Sequence, residues 1–307
     1  MIDILLASYN GEKYIGKQIE SVINQTNQDW FLYIKDDCSI DSTLDIVLEY
    51  ERKYKDKIKV IKSDNPSGSA KNNFFSMLQY SENNYIMTCD QDDIWLPDKI
   101  ELTYDKMKNI EKENPDIPIL VHTDLKVVDE NLGIINDSLF KMQNIDSNRD
   151  QLNHLLVQNI VTGCTVMVNR KLLDYIQRIP KNAIMHDWWM AIIASCFGKI
   201  FFIDEPTVLY RQHAQNNVGA KKVNSAEYII NILRNIENIK KSIKNTYLQS
   251  GELINILDIT KYQDNYDFAS EYFLLPNYNK LKRFRILKKY NLWKSGFIRK
   301  LGQIIFC

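Results

Sequence analysis

The chain has 307 residues, 45% of them hydrophobic and 25% charged, and its 39 basic and 39 acidic residues balance to zero net charge. That composition belongs to a folded protein of one large domain with an appendage, or of two domains, and it excludes collagen-like, disordered and globally basic nucleic-acid-binding classes. Five scattered cysteines (Cys38, Cys89, Cys164, Cys196 and Cys307) contain no Cys-x-x-Cys pair, which excludes a disulfide framework and a structural zinc site and fits a reducing compartment.

Residues 2–7 form a near-continuous apolar run, as a buried parallel strand requires. No basic leader or cleavage site precedes it, so no signal peptide is expected. The run ends in Ser8-Tyr9-Asn10-Gly11, a turn signal, and helical periodicity follows over 13–24. A second strand over 31–34 leads into Asp36-Asp37-Cys38-Ser39-Ile40-Asp41-Ser42-Thr43 and a helix over 44–54. A third strand covers 58–61, followed by the loop Asn65-Pro66-Ser67-Gly68-Ser69 and a helix over 70–80. A fourth, 85–88, runs into Cys89-Asp90-Gln91-Asp92-Asp93-Ile94-Trp95-Leu96-Pro97, and a helix starts after it. Strand–helix alternation with short connections predicts an open, mostly parallel sheet covered on both faces, with ligands at the carboxyl ends of its strands. All four polar clusters fall at those ends.

Further along, a strand over 119–128 contains Asp124, and 144–150 reads as a loop. Residues 162–168 read as a strand opened by Gly163, which marks either a bulge or a close approach of backbone to a ligand. His186-Asp187-Trp188-Trp189 starts an apolar helix through Cys196. The uncharged run 188–198 is far too short to span a membrane, so a cytoplasmic chain is expected. Short strands at 201–203 and 208–210 close with Arg211-Gln212-His213, and 214–224 reads as a linker. Ile229, Ile232, Leu233, Ile236, Ile239 and Ile243 then share a helical face, with Ser225 as its cap.

Asp90, Asp92 and Asp93 lie within four residues, and such carboxylates repel one another unless a cation or hydrogen-bond donors lie close. Mg²⁺ or Mn²⁺ takes oxygen ligands of this kind together with phosphate oxygens, while the other reading is an acidic turn capping the next helix. Asp36 or Asp37 can accept hydrogen bonds from a base or a ribose. Lys71 supplies positive charge near a phosphate or is simply solvated. Asp187 is placed either to be a base or to cap its helix, and His213 to be a further metal ligand or a surface histidine.

In this order, Ala7-Ser8-Tyr9-Asn10, the Asp36–Thr43 turn, Asn65-Pro66-Ser67-Gly68-Ser69-Ala70-Lys71-Asn72 and Asp90-Gln91-Asp92-Asp93 resemble glycosyltransferase family 2 over about two-thirds of the chain. His186-Asp187-Trp188-Trp189 and Tyr210-Arg211-Gln212-His213 resemble its bacterial rhamnosyltransferase branch. The resemblance implies the GT-A fold, an α/β Rossmann-like mixed sheet with flanking helices, and an inverting transfer from a nucleotide sugar. The implied donor is dTDP-β-L-rhamnose and the acceptor a saccharide of cell-surface polysaccharide synthesis, polyprenyl-diphosphate-linked. It sets Ala7, Ser8, Tyr9, Asn10, Glu12, Asp36, Asp37, Lys71, Asp90 and Gln91 around the nucleotide sugar, with Lys71 where many members have arginine. It sets a divalent metal, Mn²⁺ or Mg²⁺, on Asp90, Asp92 and His213. Asp187 matches the base, although His186 replaces the glutamate that often precedes it. Asp93, Trp95, Asp124, Gly163, His186, Trp188 and Arg211 are implied near the sugar or acceptor.

The expected organisation is a catalytic domain over 1–218 and a helical region over 219–307. Between 280 and 300 basic residues alternate with Leu281, Phe284, Ile286, Leu287, Tyr290, Leu292, Trp293, Phe297 and Ile298. Such a basic amphipathic segment suits the inner face of the cell membrane or packs on its own domain. Nucleic acid is not an expected partner. A UDP-sugar donor and a non-catalytic nucleotide- or saccharide-binding scaffold are the alternatives. A nucleotidyltransferase would show a Gly-rich basic loop after the first strand, which Ser8-Tyr9-Asn10-Gly11-Glu12 is not.

Overall fold

The structure, a computed structural model, describes residues 1–176, 180–213 and 235–306. They group into two compact units that interleave along the sequence. Met1–Leu139, Val161–Ile179 and Phe197–Ala220 form the first, and Phe140–Ile160, Pro180–Cys196 and Lys221–Cys307 the second. The boundary expected at residue 218, the 214–224 linker and the Ser225 cap lie outside the described residues.

The first unit is built on a mixed sheet of β1 (Ile2–Ser8), β2 (Trp30–Asp36), β3 (Ile58–Lys62), β4 (Tyr85–Asp90), β5 (Ile94–Trp95), β6 (Ile119–Val128), β7 (Ile134–Asn136), β8 (Met167–Asn169) and β9 (Lys199–Arg211). Their order is β3-β2-β1-β4-β8-β6-β9-β5, with β7 on β6. β3, β2, β1 and β4 run parallel. β8 is antiparallel to both its neighbours, β9 is parallel to β6, and β5 is antiparallel to β9. β1 is buried along nearly its whole length, which is why its sequence is a continuous apolar run rather than an alternating one.

Helices α1 (Ile15–Ile23), α2 (Thr43–Lys53), α3 (Ala70–Met77) and α4 (Lys99–Glu113) connect the first strands. α1 buries Ile15, Ile19 and Val22, one face at helical spacing. α3 starts where Ser69 accepts a hydrogen bond from the Asn72 N–H, an N-cap. The register pairs Ser8 with Asp36 and Ala7 with Asp90, so the first, second and fourth polar clusters leave the sheet at one edge.

Two local expectations change. Residues 163–165 form a single 3₁₀ turn, closed by the Thr165 N–H and hydroxyl on the Thr162 carbonyl, and the strand begins only at Met167. The two strands expected at 201–203 and 208–210 are one, β9, because register shifts against β6 around Asp124 absorb the Asp204-Glu205-Pro206 interruption. At the start of β9, Gly198 faces the Pro118 carbonyl so closely that a Cβ would lie 1.8 Å from its oxygen.

The chain continues through α5 (Leu139–Gln143), α6 (Leu152–Leu155), α7 (Arg170–Leu173) and α8 (His186–Phe197). The described helices after residue 234 are α9 (Ile236–Ile254), α10 (Gln263–Phe273), α11 (Lys280–Lys289) and α12 (Phe297–Phe306). Within the second unit α9 and α10 pack through Tyr247 and Tyr272, whose rings are 5.0 Å apart, and through the Ser250 hydroxyl, which donates to the Ala269 carbonyl. No helix among the described residues is long and apolar enough to cross a membrane.

Candidate active site

Two loops at the carboxyl edge of β1 and β2 are fastened together atom by atom. The Asn10 N–H donates to Ser39 Oγ, and Asn10 Oδ1 accepts from the Ile40 N–H, each at 2.9 Å. The Gly11 N–H reaches Thr43 Oγ1 at 2.7 Å, and Glu12 Oε2 accepts from the Ser42 N–H at 2.9 Å. Asp36 is buried and saturated by Ser8 Oγ, the Ser39 N–H and Ser39 Oγ. Asp37 ties in the next loop, accepting from the Ser67 N–H at 2.6 Å and from Ser67 Oγ at 2.8 Å. Gln91 spans from β4 to β1, with its Oε1 on the Tyr9 N–H and its Nε2 on the Tyr9 carbonyl at 2.8 and 2.9 Å. These residues shape the rim through their own backbone, and Lys71 stands half-buried in the first turn of α3 beside it.

The acidic loop after β4 is braced from the end of β9. His213 Nε2 lies 2.8 Å from Asp92 Oδ2. Arg211, 2% exposed, donates its Nε to the Asp92 carbonyl and its backbone N–H to Asp93 Oδ1. Its guanidinium also reaches the Glu130 carbonyl and lies over the Tyr14 ring, which sits 4.9 Å from the His213 ring. Arg211 is therefore a brace of this loop. Asp93 is wholly buried, and burial first, then the Asp92 and Asp90 charges, push its carboxyl well above the usual carboxylate range. Asp90, Asp93 and Cys164 bring ligand atoms within 4.8 Å of one another, but burial raises the Cys164 thiol too, which keeps it protonated. Beneath them Lys99 is buried over the Trp95 ring, and burial lowers its ammonium to about 8. Trp95 itself, 2% exposed, belongs to this core.

On the second unit, Asp187 opens α8. Its Oδ1 accepts from the Trp188 N–H at 2.7 Å and its Oδ2 from Asn159 Nδ2 at 3.2 Å. His186 is buried and its imidazole is pushed down to about 3 by burial, so it is neutral and part of the packing. Trp188 donates its Nε1–H to the Leu155 carbonyl. In the first unit Asp124 is buried, accepting from the Ser138 hydroxyl and the Leu139 N–H, and so it holds the start of α5. The Gly163 carbonyl accepts from Thr88 Oγ1. Sequence reasoning missed Asn159, Tyr14 and Cys164, and none of them carries a local signal, because each matters only through a neighbour remote in the chain.

The donor set fits a divalent cation. Asp92 and the His213 imidazole lie 2.8 Å apart, while among the described residues the ligand atoms that come together as a group of three are those of Asp90, Asp93 and Cys164; the oxygen and imidazole groups present suit Mn²⁺.

Comparisons with known proteins agree with this architecture. Residues 3–176 match the family described as Glycosyl transferase family 2. The chain is 31% identical over 235 residues to the dTDP-rhamnosyl transferase RfbG of Shigella flexneri, covering 73% of this chain and 76% of that one. It is 29% identical over 177 residues to the UDP-Glc:alpha-D-GlcNAc-diphosphoundecaprenol beta-1,3-glucosyltransferase WfgD of Escherichia coli, covering 57% of this chain and 62% of that one. Among solved structures, the mannosyltransferase PcManGT of Pyrobaculum calidifontis, in complex with GDP-Man and Mn²⁺, superposes with a TM-score of 0.57 at 12% identity, over 99% of this chain and 78% of that one. The mixed sheet with its helical C-terminal region is the GT-A fold, and the chain belongs to glycosyl transferase family 2, as a glycosyltransferase.

Proposed function

We propose that this glycosyltransferase inverts the anomeric centre of its donor and depends on a divalent metal, moving L-rhamnose from dTDP-β-L-rhamnose to a saccharide acceptor. The observation that carries the donor site is the Asp92–His213 pair, 2.8 Å apart at the strand edge that also holds the fastened loops after β1 and β2. Asp90, Asp92 and His213 would hold Mn²⁺ or Mg²⁺, which would neutralise the charge of the departing diphosphate. The rim of residues 7–12, 36–37 and 67 takes the nucleoside, and Lys71 adds positive charge for the phosphates. Asp187 removes the proton of the acceptor hydroxyl as its oxygen attacks the anomeric carbon. The bond from that carbon to the diphosphate oxygen breaks in the same displacement, and the configuration inverts. Asn159 and the Trp188 N–H keep the Asp187 carboxylate oriented.

Rhamnose as the sugar is supported by the likeness to RfbG; a UDP-sugar donor is the second reading, supported by the likeness to WfgD. A lipid-linked acceptor places the protein at the inner face of the cell membrane. Calorimetric titration with dTDP, UDP and GDP, with and without Mn²⁺, tests the donor site. Metal-dependent binding of dTDP that Asp92→Asn abolishes is the expected result. Preference for UDP would replace rhamnose by another sugar, and binding of none of the three would remove the donor site altogether.

A further inference from the structure

We propose that α11 and α12 form a docking surface for an anionic lipid bilayer, with a seat for one lipid phosphate between Arg149, Lys294 and Lys300. This deepens the membrane association proposed above, and it is built from residues of the second unit alone.

Residues 277–307 contain nine Lys or Arg and no Asp or Glu. Among them α12 turns its large apolar side chains outward: Phe297 is 80% exposed, Leu301 45%, Ile304 42% and Ile305 53%. Their spacing puts all four in one stripe about 100° wide. The other side of the helix is committed to protein. Gln303 is buried, accepting from the Lys294 N–H at 2.9 Å and donating to the Leu292 carbonyl at 2.8 Å, and Arg299 donates to the Gln143 carbonyl at 2.9 Å. A helix that packed on its own domain would bury the stripe and leave the polar residues in water; α12 does the reverse.

α11 repeats the pattern. It buries Ile286 and Leu287, while Leu281 and Phe284 are open to solvent among exposed Lys282, Arg285 and Lys288. Trp293 links the two helices, with the Phe284 ring 5.7 Å away and Lys300 Nζ 4.9 Å from its centroid. An apolar stripe flanked by cations matches the boundary between anionic headgroups and acyl chains. A second copy would bring the same cations against one another, so charge selects the bilayer as the occupant.

A cavity of about 350 Å³ lies at the foot of α12, and Phe297 forms part of its wall. Arg149, Lys294 and Lys300 line it against a single carboxylate, Asp146, with Asn144 and Ser295 adding polar groups. Arg149 is half-buried, its guanidinium held on the Trp293 carbonyl. Three cations around a space of headgroup size, beside the most exposed apolar side chain of the stripe, suit a phosphodiester whose acyl chains follow the stripe.

Co-sedimentation of the full chain with phosphatidylcholine vesicles, with and without phosphatidylglycerol, tests the surface. Binding to the anionic vesicles alone, weakened by salt, is expected. Phe297→Asp with Leu301→Asp removes it, and Lys294→Glu with Lys300→Glu weakens it at least tenfold, from about fivefold per basic residue lost. The first variant alters exposed side chains and the second an exposed and a half-buried lysine, and unchanged thermal melting and nucleotide binding establish that they are folded and that any loss belongs to the surface, not to the donor site. Equal binding by the Phe297/Leu301 variant and the parent overturns the proposal. So does displacement by inorganic phosphate of a binding that ignores phosphatidylglycerol. A concentration-dependent dimer in light scattering, abolished by the Phe297/Leu301 variant, overturns it in favour of a second copy.

Discussion

At the scale of single residues, Asp187 and Asn159 make one functional unit in the proposed mechanism. Asp187→Asn keeps the shape of the site and removes its proton acceptor, so transfer should fall by about a thousandfold or more while nucleotide affinity stays as it was. Undiminished transfer would place the base elsewhere. Asn159 acts through Asp187, as a positioning residue. Its amide donates to the carboxylate, and losing that bond frees the side chain to turn away from the acceptor. Asn159→Ala should therefore lower kcat about tenfold at unchanged nucleotide affinity, with Asn159→Gln restoring part of the rate, and an equal loss of nucleotide affinity would leave Asn159 a merely structural part. Two buried histidines make a second prediction. His122 and His186 are both pushed by burial to about 3 from an ordinary 6.5, so the folded chain keeps these rings neutral while the unfolded chain takes up protons below 6.5. The stability they contribute is fully present above 6.5 and is lost as pH falls toward 3, at up to about 1.4 kcal/mol per pH unit for each ring. Asp93, with its raised pKa, contributes with the opposite sign, so the comparison that isolates the effect is parent against His122→Gln. The variant's melting temperature should fall less steeply between about pH 7 and pH 5; parallel curves would refute the assignment. Of the candidate site, Asp90, Asp92, Asp187 and His213 stand out in the sequence because their residue types announce chemistry in short ordered motifs. It could not reveal that Arg211, Asp124 and His186 face inward, since burial is set by strands that pair far along the chain.

The elements nearest the site are loops, and they are ordered by side chains answering backbone groups. Gly11 is where this fastening is tightest: a Cβ there would lie 2.3 Å from Gln91 Oε1, the atom that holds the Tyr9 N–H. Because that atom ends a flexible side chain, Gly11→Ala should be accommodated by displacing Gln91, at the loss of both its hydrogen bonds to Tyr9, about 1–3 kcal/mol together. Nucleotide affinity should drop, and the double variant with Gln91→Ala should be no worse than Gln91→Ala alone; additive losses would show that Gly11 acts by some other route. The same elements show how far a sequence reading reaches. β1 to β4 were legible because each is an apolar run followed by a turn signal and a helix, a pattern with one parallel solution. The far half of the sheet was not, because periodicity identifies a strand without naming its partner. β8 is only three residues long, and the Asp204-Glu205-Pro206 break inside β9 looks like a strand end until the bulges opposite it are seen.

For the whole molecule the decisive property is how the chain is shared between its two units. It leaves the first unit after Leu139, returns at Val161, leaves again after Ile179, and returns once more at Phe197. The proposed base Asp187 lies in one of the excursions, and the Asp92–His213 pair in the unit from which they depart. Neither unit is a continuous stretch, so melting the first would free both ends of the 140–160 and 180–196 segments and raise the entropy cost of keeping the second folded. A single cooperative transition is therefore expected in calorimetry, rather than two. Nucleotide with Mn²⁺ binds residues of the first unit only, in the proposal above, and at a hundredfold excess over its Kd it adds about 2.7 kcal/mol to the folded state. In a chain of this size that should raise the melting temperature by about 5 °C or more, and the whole transition should move with it. Two peaks, of which the ligand shifts one, would mean that the units melt separately in spite of their interleaving; a single peak that the ligand leaves in place would instead count against the donor site.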